Sequence, residues 1–206
     1  MNNFAETHRT VPIHPKILYY GTPVILLTTL NEDLTVNISP ISSSWALGDH
    51  IILGLGINGK ALENLKRMPE CVINLPDASQ WEQVEGLARL TGKNPVPVEK
   101  KGAGFIFEKD KFAHSGFTQA VSTTVQTARI AECPIQIEAR VKHIRIPEDS
   151  PHFAIVETKS TQVHVHKELV AGEHYIHPSS WNPLIYNFRH YFGLSAELGK
   201  SYRSET

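Results

Sequence analysis

The side chains best suited to chemistry fall in two short clusters, and both suit an anion. Gly54-Leu55-Gly56-Ile57-Asn58-Gly59-Lys60 joins an apolar strand-like run to a short helical one. Gly56 and Gly59 let the backbone approach a ligand closely, and Asn58 is placed to cap the helix. Lys60 falls in the first helical turn, where the positive end of the macrodipole disfavours a cation by roughly a few tenths of a kcal/mol or more. A bound phosphate reverses that sign, because helix N–H groups and ammonium then face one dianion. Asn64 lies one turn on, along the same face. A solvated lysine on an exposed helix is the commoner reading of such a residue, and the motif alone leaves both open. The second cluster, Ser39-Pro40-Ile41-Ser42-Ser43-Ser44, gathers hydroxyls and backbone donors that can hold phosphate or the edge of a polar ring. Ordinary turns favour the same residues.

The glycine run also reads as a local dinucleotide-binding fingerprint, with Asp77 closing the next strand-like stretch. The fold that fingerprint needs is absent. The helix over 60–68 is shorter than a crossover of about 10–12 residues requires, and downstream strands follow strands rather than alternating with helices. His164 and His166 share one face of a strand. Zinc would need further ligands that the sequence does not identify, so the pair reads as exposed strand residues. No catalytic triad or carboxylate pair is convincingly placed, and no metal site is expected.

The elements that must position these clusters are mostly short strands. A buried strand over 24–30 and a half-buried one over 35–39 make a hairpin across Asn31-Glu32-Asp33. Strands follow at 51–55, 71–75, 135–141 (alternating cleanly), 153–157 and 162–166. Helices are expected at 60–68, from a Ser79 cap to about Leu90, and from Pro183, capped by Asn182, to Gly193. In the last, Leu184, Phe188, Tyr191 and Phe192 form a packing stripe at helical spacing, with Arg189 and His190 outside it. Residues 94–124 read as an elaborated loop region. Many short strands with about three helices predict a mainly β barrel.

Composition narrows the classes further. The 206 residues suit a single domain over 1–206. With 20 Lys+Arg against 21 Asp+Glu, the net charge of −1 gives no global reason to expect nucleic acid or an anionic membrane. Residues 1–9 lack the apolar core of a secretory signal, and no apolar run approaches the ~20 residues of a membrane helix. Cys71 and Cys133 each sit in an apolar strand-like stretch, so buried thiols and a cytoplasmic location are expected.

The chain resembles the flavin reductase-like family of the FMN-binding split-barrel superfamily. The similarity runs from Gly21-Thr22-Pro23-Val24 through Asn37-Ile38-Ser39-Pro40-Ile41-Ser42-Ser43, then Lys60-Ala61-Leu62-Glu63-Asn64-Leu65 and Val72-Ile73-Asn74-Leu75-Pro76. It returns at Asp110-Lys111-Phe112, at Glu132-Cys133-Pro134-Ile135-Gln136-Ile137-Glu138, and in the ending from Trp181 to Leu194. The resemblance implies a Greek-key split β-barrel, a homodimer with FMN near the subunit interface, and NAD(P)H as reductant. It places Asn37, Ser39, Pro40, Ile41, Ser42, Ser43 and Ser44 against the isoalloxazine ring and ribityl chain, and Gly59, Lys60 and Asn64 near the phosphate. His190 is a weaker candidate bordering the flavin or nicotinamide pocket. Two positions depart from the family pattern: Leu34 stands for the usual hairpin glycine, and Ala61 for a frequent threonine after the lysine.

Three functions compete on this reading. The leading one is an NAD(P)H-dependent flavin oxidoreductase serving a flavin or another redox partner. The others are a flavoredoxin-like FMN electron carrier and a flavin-binding module without catalysis.

Overall fold

The computed structural model describes residues 10–204. The reading of residues 1–9 as free of a secretory signal lies outside them. Strands β1 (Ile25–Leu30) and β2 (Val36–Ile41) form the first hairpin. In its turn, Leu34 donates its N–H to the Asn31 carbonyl at 3.1 Å, and Asn31 donates to Thr35 at 2.8 Å. Leu34 takes φ +66°, the left-handed region that glycine adopts freely. Holding a residue with a Cβ in that region costs about 1–2 kcal/mol. Leu34 is exposed and packs on little. Leu34→Gly is therefore expected to raise stability by roughly 0.5–1 kcal/mol and Tm by about 1–4 °C. A thermal melt with no rise would show the turn to be unstrained.

The chain continues through β3 (Ser44–Leu47), β4 (His50–Gly56), α1 (Lys60–Arg67) and β5 (Glu70–Leu75). Helix α2 (Trp81–Leu87), the short helices α3 (Val98–Gly102) and α4 (Lys111–Ser115), and the long strands β6 (Ile135–Arg145) and β7 (Phe153–Val165) follow. Seven strands pair in the order β2-β1-β5-β6-β7-β4-β3, every pairing antiparallel, and the sheet curls into a half-barrel. The mainly β barrel expected from the strand pattern, and the split barrel that the resemblance implies, match the fold observed. Strands β4 and β5, which flank α1, are separated in the sheet by β6 and β7. The glycine motif therefore sits in no parallel βαβ unit, and the dinucleotide reading fails on topology.

Strand β1 is buried on both faces, which is why its sequence is apolar without alternation. Ile25 and Leu27 pack with Leu53, Leu62, Leu65 and Ile73 inside the curl. Leu26 and Leu30 pack on the other side with Val84, Leu87, Phe112 and Leu184. Burying Leu62 and Leu65 of α1 stabilises its docking by about 1.5–3 kcal/mol each. That fixes the helix start relative to β4.

Two helical expectations need correction. Asp77, not Ser79, caps the second helical segment: its carboxylate accepts from Ser79 at 2.9 Å, and Gln80 returns a bond to the Asp77 N–H. The helix stops at Leu87, because Leu90–Thr91 leaves it to pair with Ile106–Phe107. The segment after Pro183 is no helix. It forms a hairpin, β8 (Ile185–Asn187) and β9 (His190–Phe192), with β8 also pairing Tyr20–Pro23. Tertiary bonds override the helical spacing there: Leu184 N–H donates to Pro76 O, Leu184 O accepts from Val24, and Asn182 Oδ1 accepts from Leu194 instead of capping.

His164 is not an exposed strand residue. Its Nε2 lies 2.7 Å from the fully buried Glu138 carboxylate. Burial pushes that carboxyl's pKa up, but hydrogen bonds from Thr124, Thr123 and His164 outweigh it and hold Glu138 at about 2. The network ties the loop around Thr123 and Thr124 to the barrel wall. No helix among the described residues is long and apolar enough to cross a membrane.

Candidate functional site

The end of β2, the end of β4, the start of α1 and the loop carrying α3 enclose an elongated cleft with two lobes. One lobe has a volume of about 450 Å³ and the other about 330 Å³, and Pro40, Ile41, Gly56 and Ala88 line both. The larger contains Ser39, Gly59 and three lysines, Lys60, Lys100 and Lys111. The smaller contains Ser42 and Ser43 beneath Tyr19, Tyr186 and Tyr191.

The glycines of β4 serve this geometry in different ways. Gly54 donates its N–H to the Ser43 carbonyl at 2.7 Å, and a Cβ added there would sit 2.9 Å from Ser43 Cβ. Its bareness lets the serine bend lie flat on the strand. A Cβ on Gly56 would meet nothing within 4 Å, so that position opens onto the cleft.

The three lysines differ electrostatically. Lys60 is held by two carboxylates, Glu32 at 2.8 Å and Glu63 at 2.6 Å, with only 12% of its side chain exposed. Burial works to lower its pKa, but the bonds to Glu32 and Glu63 prevail and hold it above the ordinary lysine value. Neither reading of Lys60 from the sequence, solvated cation or free anion ligand, describes this neutralised group. Lys111 is 2% exposed and donates to the Ile38 carbonyl at 2.7 Å. No ion pair to a carboxylate is seen for it among the described residues, and burial with the nearby Lys100 charge pushes its pKa down to about 7. Lys100 packs its ammonium 5.3 Å from the Phe105 ring centroid, and burial and Lys93 lower its pKa too. Lys100 and Lys111 thus share one lobe with Glu99 on its wall, and neither forms an ion pair with a carboxylate among the described residues.

The tyrosine lobe is different in kind. Tyr186 stands edge-on to Tyr19 at 5.6 Å and tilted to Tyr191 at 5.5 Å. Burial and the Glu85 carboxylate raise the Tyr191 pKa, so its phenol stays protonated and donates to Glu85 at 3.0 Å. This wall offers flat apolar faces to a planar ligand.

Of the residues singled out in the sequence, Ser39, Pro40, Ile41, Ser42, Ser43, Gly59 and Lys60 line the cleft. Asn37, Ser44 and Asn64 do not. Asn64 is buried between α1 and β1, donating to Thr29 and Asn31 at 3.0 and 2.9 Å, because the inner face of the helix turns it away from Lys60. Asn37 lies behind Gly92, bonded to Ser39 Oγ at 3.0 Å, with its own Oδ1 buried and unpaired. Ser44 pairs along β3 opposite Leu53. Asn58 does not cap α1; its side chain reaches Glu99. His190 is exposed on β9 and lines a neighbouring groove with Trp81 and Arg189. The sequence assigns no ligand role to Lys100, Lys111 or the three tyrosines: Asp110-Lys111-Phe112 and the ending with Tyr186 and Tyr191 carry family likeness, Tyr191 reads as packing, and nothing marks Lys111 as buried.

Residues 17–195 match the family model described as the flavin reductase like domain. The Bacillus subtilis (strain 168) protein YdfE is 57% identical over 98% of this chain and 97% of its own length. Among solved structures, the flavoredoxin of Desulfovibrio vulgaris (Miyazaki F) superposes with a TM-score of 0.79 at 17% identity, covering 96% of this chain and all of that one (100%). A Shewanella frigidimarina NCIMB 400 protein described with a split barrel domain gives 0.71 at 15% identity, over 88% of this chain and 86% of that one. At those identities the structures bear on the fold alone. With the family match spanning most of its length, the chain belongs to the flavin reductase like family, a family of flavin-related oxidoreductases.

Proposed function

We propose that the chain works as one domain binding FMN, taking electrons from NAD(P)H and delivering them to a flavin or another acceptor. The observation that carries this reading is the polarity of the cleft: Lys100 and Lys111, in no ion pair with a carboxylate among the described residues, at one end, and three tyrosines at the other. Flavin mononucleotide has that same polarity, a dianionic phosphate joined by a polyol to a flat ring. Lys111 and Lys100 would hold the phosphate beside the first N–H groups of α1, which no side chain caps. Ser39, Ser42 and Ser43 offer hydroxyls along the polyol and the polar ring edge, and the tyrosines shield the ring from water. The bound flavin itself supplies the hydride chemistry. The protein binds, orients and excludes solvent.

The edge strand β3 carries exposed Trp45 and Leu47, a surface suited to the homodimer contact that would bring a second chain near the ring. Cys71 and Cys133, both buried free thiols, fit a reducing cytoplasm.

The absorbance spectrum of the purified protein, followed by NADH and NADPH oxidation with added FMN, tests this reading. Oxidised-flavin bands with steady turnover are the expected result. Flavin that is reduced only by a partner protein would make the chain an electron carrier. A colourless protein that takes up no FMN at saturation would overturn the proposal.

A further inference from the structure

A separate groove of about 680 Å³ lies beside the tyrosine lobe, between α2 and the β8–β9 hairpin. Trp81 and Glu85 of α2 line one side, and Arg189, His190, Tyr191 and Phe192 the other. Tyr191 lines both the groove and the lobe. Its ring is tilted to Trp81 at 6.4 Å and to Tyr186 at 5.5 Å, and Tyr186 meets Tyr19 at 5.6 Å. One row of four rings therefore runs from the groove to the lobe. At the groove end the rings are uncovered: Trp81 is 46% exposed and Phe192 49%.

The hairpin turn sets a cation at this end. Asn187 pairs with His190, so Phe188 and Arg189 make a two-residue turn, with φ angles of +44° and +71°. Such a turn takes left-handed backbone at both central positions, which glycine and asparagine supply most readily. A phenylalanine and an arginine occupy them here, and Phe188 N–H is tied to the Tyr19 carbonyl at 2.6 Å. The exception to local preference falls where the arginine borders the groove. Among the described residues the side chains of Arg189 and His190 have no hydrogen-bonding or ion-pairing partner. Glu85, the acidic residue lining the groove, is engaged by the Tyr191 hydroxyl at 3.0 Å.

We propose that this groove takes the 2′-phosphorylated adenosine of NADPH and so makes the phosphorylated dinucleotide the preferred reductant. The inference rests on the flavin reading above, in which the flavin ring and the nicotinamide that meets it lie at the tyrosine lobe. A pyrophosphate joins that nicotinamide to an adenine, so two adjoining cavities suit the two ends. Trp81 and Phe192 offer open faces on which an adenine can stack. The Arg189 guanidinium, charged at any working pH, grips the terminal oxygens of a phosphate monoester as a two-pronged donor, and His190 adds a ring N–H. NADH carries a hydroxyl in place of that phosphate and gains far less from the guanidinium.

Calorimetric titration of the FMN-loaded protein with adenosine 2′,5′-bisphosphate and with adenosine 5′-monophosphate tests this without any hydride transfer. The wild type should bind the bisphosphate at least about tenfold more tightly. Arg189→Asn keeps a residue that tolerates left-handed backbone, so the turn and the FMN affinity should be unchanged. It should weaken the bisphosphate by about 10–100-fold and the monophosphate by less than about threefold. Trp81→Leu should weaken both nucleotides alike, by about fivefold or more, and leave their ratio in place. Equal wild-type affinities, no binding of either nucleotide, or a ratio unmoved by Arg189→Asn would overturn the groove's role, while FMN uptake left the flavin site standing. A protein that takes up no FMN would overturn the flavin reading and this inference with it.

Discussion

Replacing Lys111 with methionine is expected to weaken FMN binding by about 10–100-fold while leaving thermal stability unchanged or raised. The two effects have one cause. A charge-assisted hydrogen bond to phosphate is worth about 1.5–3 kcal/mol, and Lys111 is the most buried of the three lysines in its lobe. Without a ligand the same ammonium is a buried cation whose acceptor among the described residues is the Ile38 carbonyl. Burial therefore depresses its pKa to about 7, against about 10.4 in an unfolded chain. Between those values the unfolded state binds more protons than the folded one. The cost to folding is thus fully present below about pH 7 and is relieved as pH rises towards about 10.4. Methionine fills similar volume and removes that term, so the variant's stability should show less rise across the window.

Flavin binding should move the opposite way with pH. A phosphate beside Lys111 raises its pKa, so binding above about pH 7 requires the uptake of a proton and weakens as pH increases. Dissociation constants measured at about pH 7, 8 and 9 should rise for the wild type and stay flatter for Lys111→Met. If the variant bound FMN as tightly as the wild type at every pH, Lys111 would have no part in holding the phosphate.

Gly56→Leu is expected to abolish measurable FMN binding, a loss of at least about 100-fold, in a protein that still folds. Gly56 lines both lobes, at the junction where a bound polyol would pass. A Cβ there is unopposed within 4 Å, so the larger side chain extends into the cleft instead of into the core. Displacing the ligand forfeits its contacts, while the strand keeps its pairing with β7. Circular dichroism and a melt like the wild type's would show that the fold survives. FMN affinity within a few-fold of the wild type would place the ligand elsewhere. Gly54→Leu gives the contrast, since its first side-chain atom already collides with Ser43, and there misfolding is the expected result.

How much of this was legible in the sequence depended on whether the decisive contacts were local. The β1–β2 hairpin, α1 and the strand character of β6 could be read directly, because hydrophobic period and turn chemistry act over a few residues. The wet face that the β6 alternation implied is not there at Gln136 and Glu138, which are buried. The serine bend could be located for the same reason. Leu34 shows where locality stops: its residue type argued against the glycine turn, yet strand pairing on either side imposes the left-handed conformation. The C-terminal hairpin failed in the same direction. Leu184 to Phe192 has helical spacing, but bonds to Pro76 and Val24, more than a hundred residues away, make it a strand pair.

The sequence by itself determined a mainly β barrel, the serine bend and the glycine-lysine start of α1. Only the tertiary structure decided which charges remain free to meet a ligand. Glu32, from the first hairpin, neutralises Lys60, whereas Lys111 is carried into the cleft beneath Ile38, 73 residues earlier in the chain. Charge neutralisation and burial depend on distance in space, and a sequence records only distance along the chain.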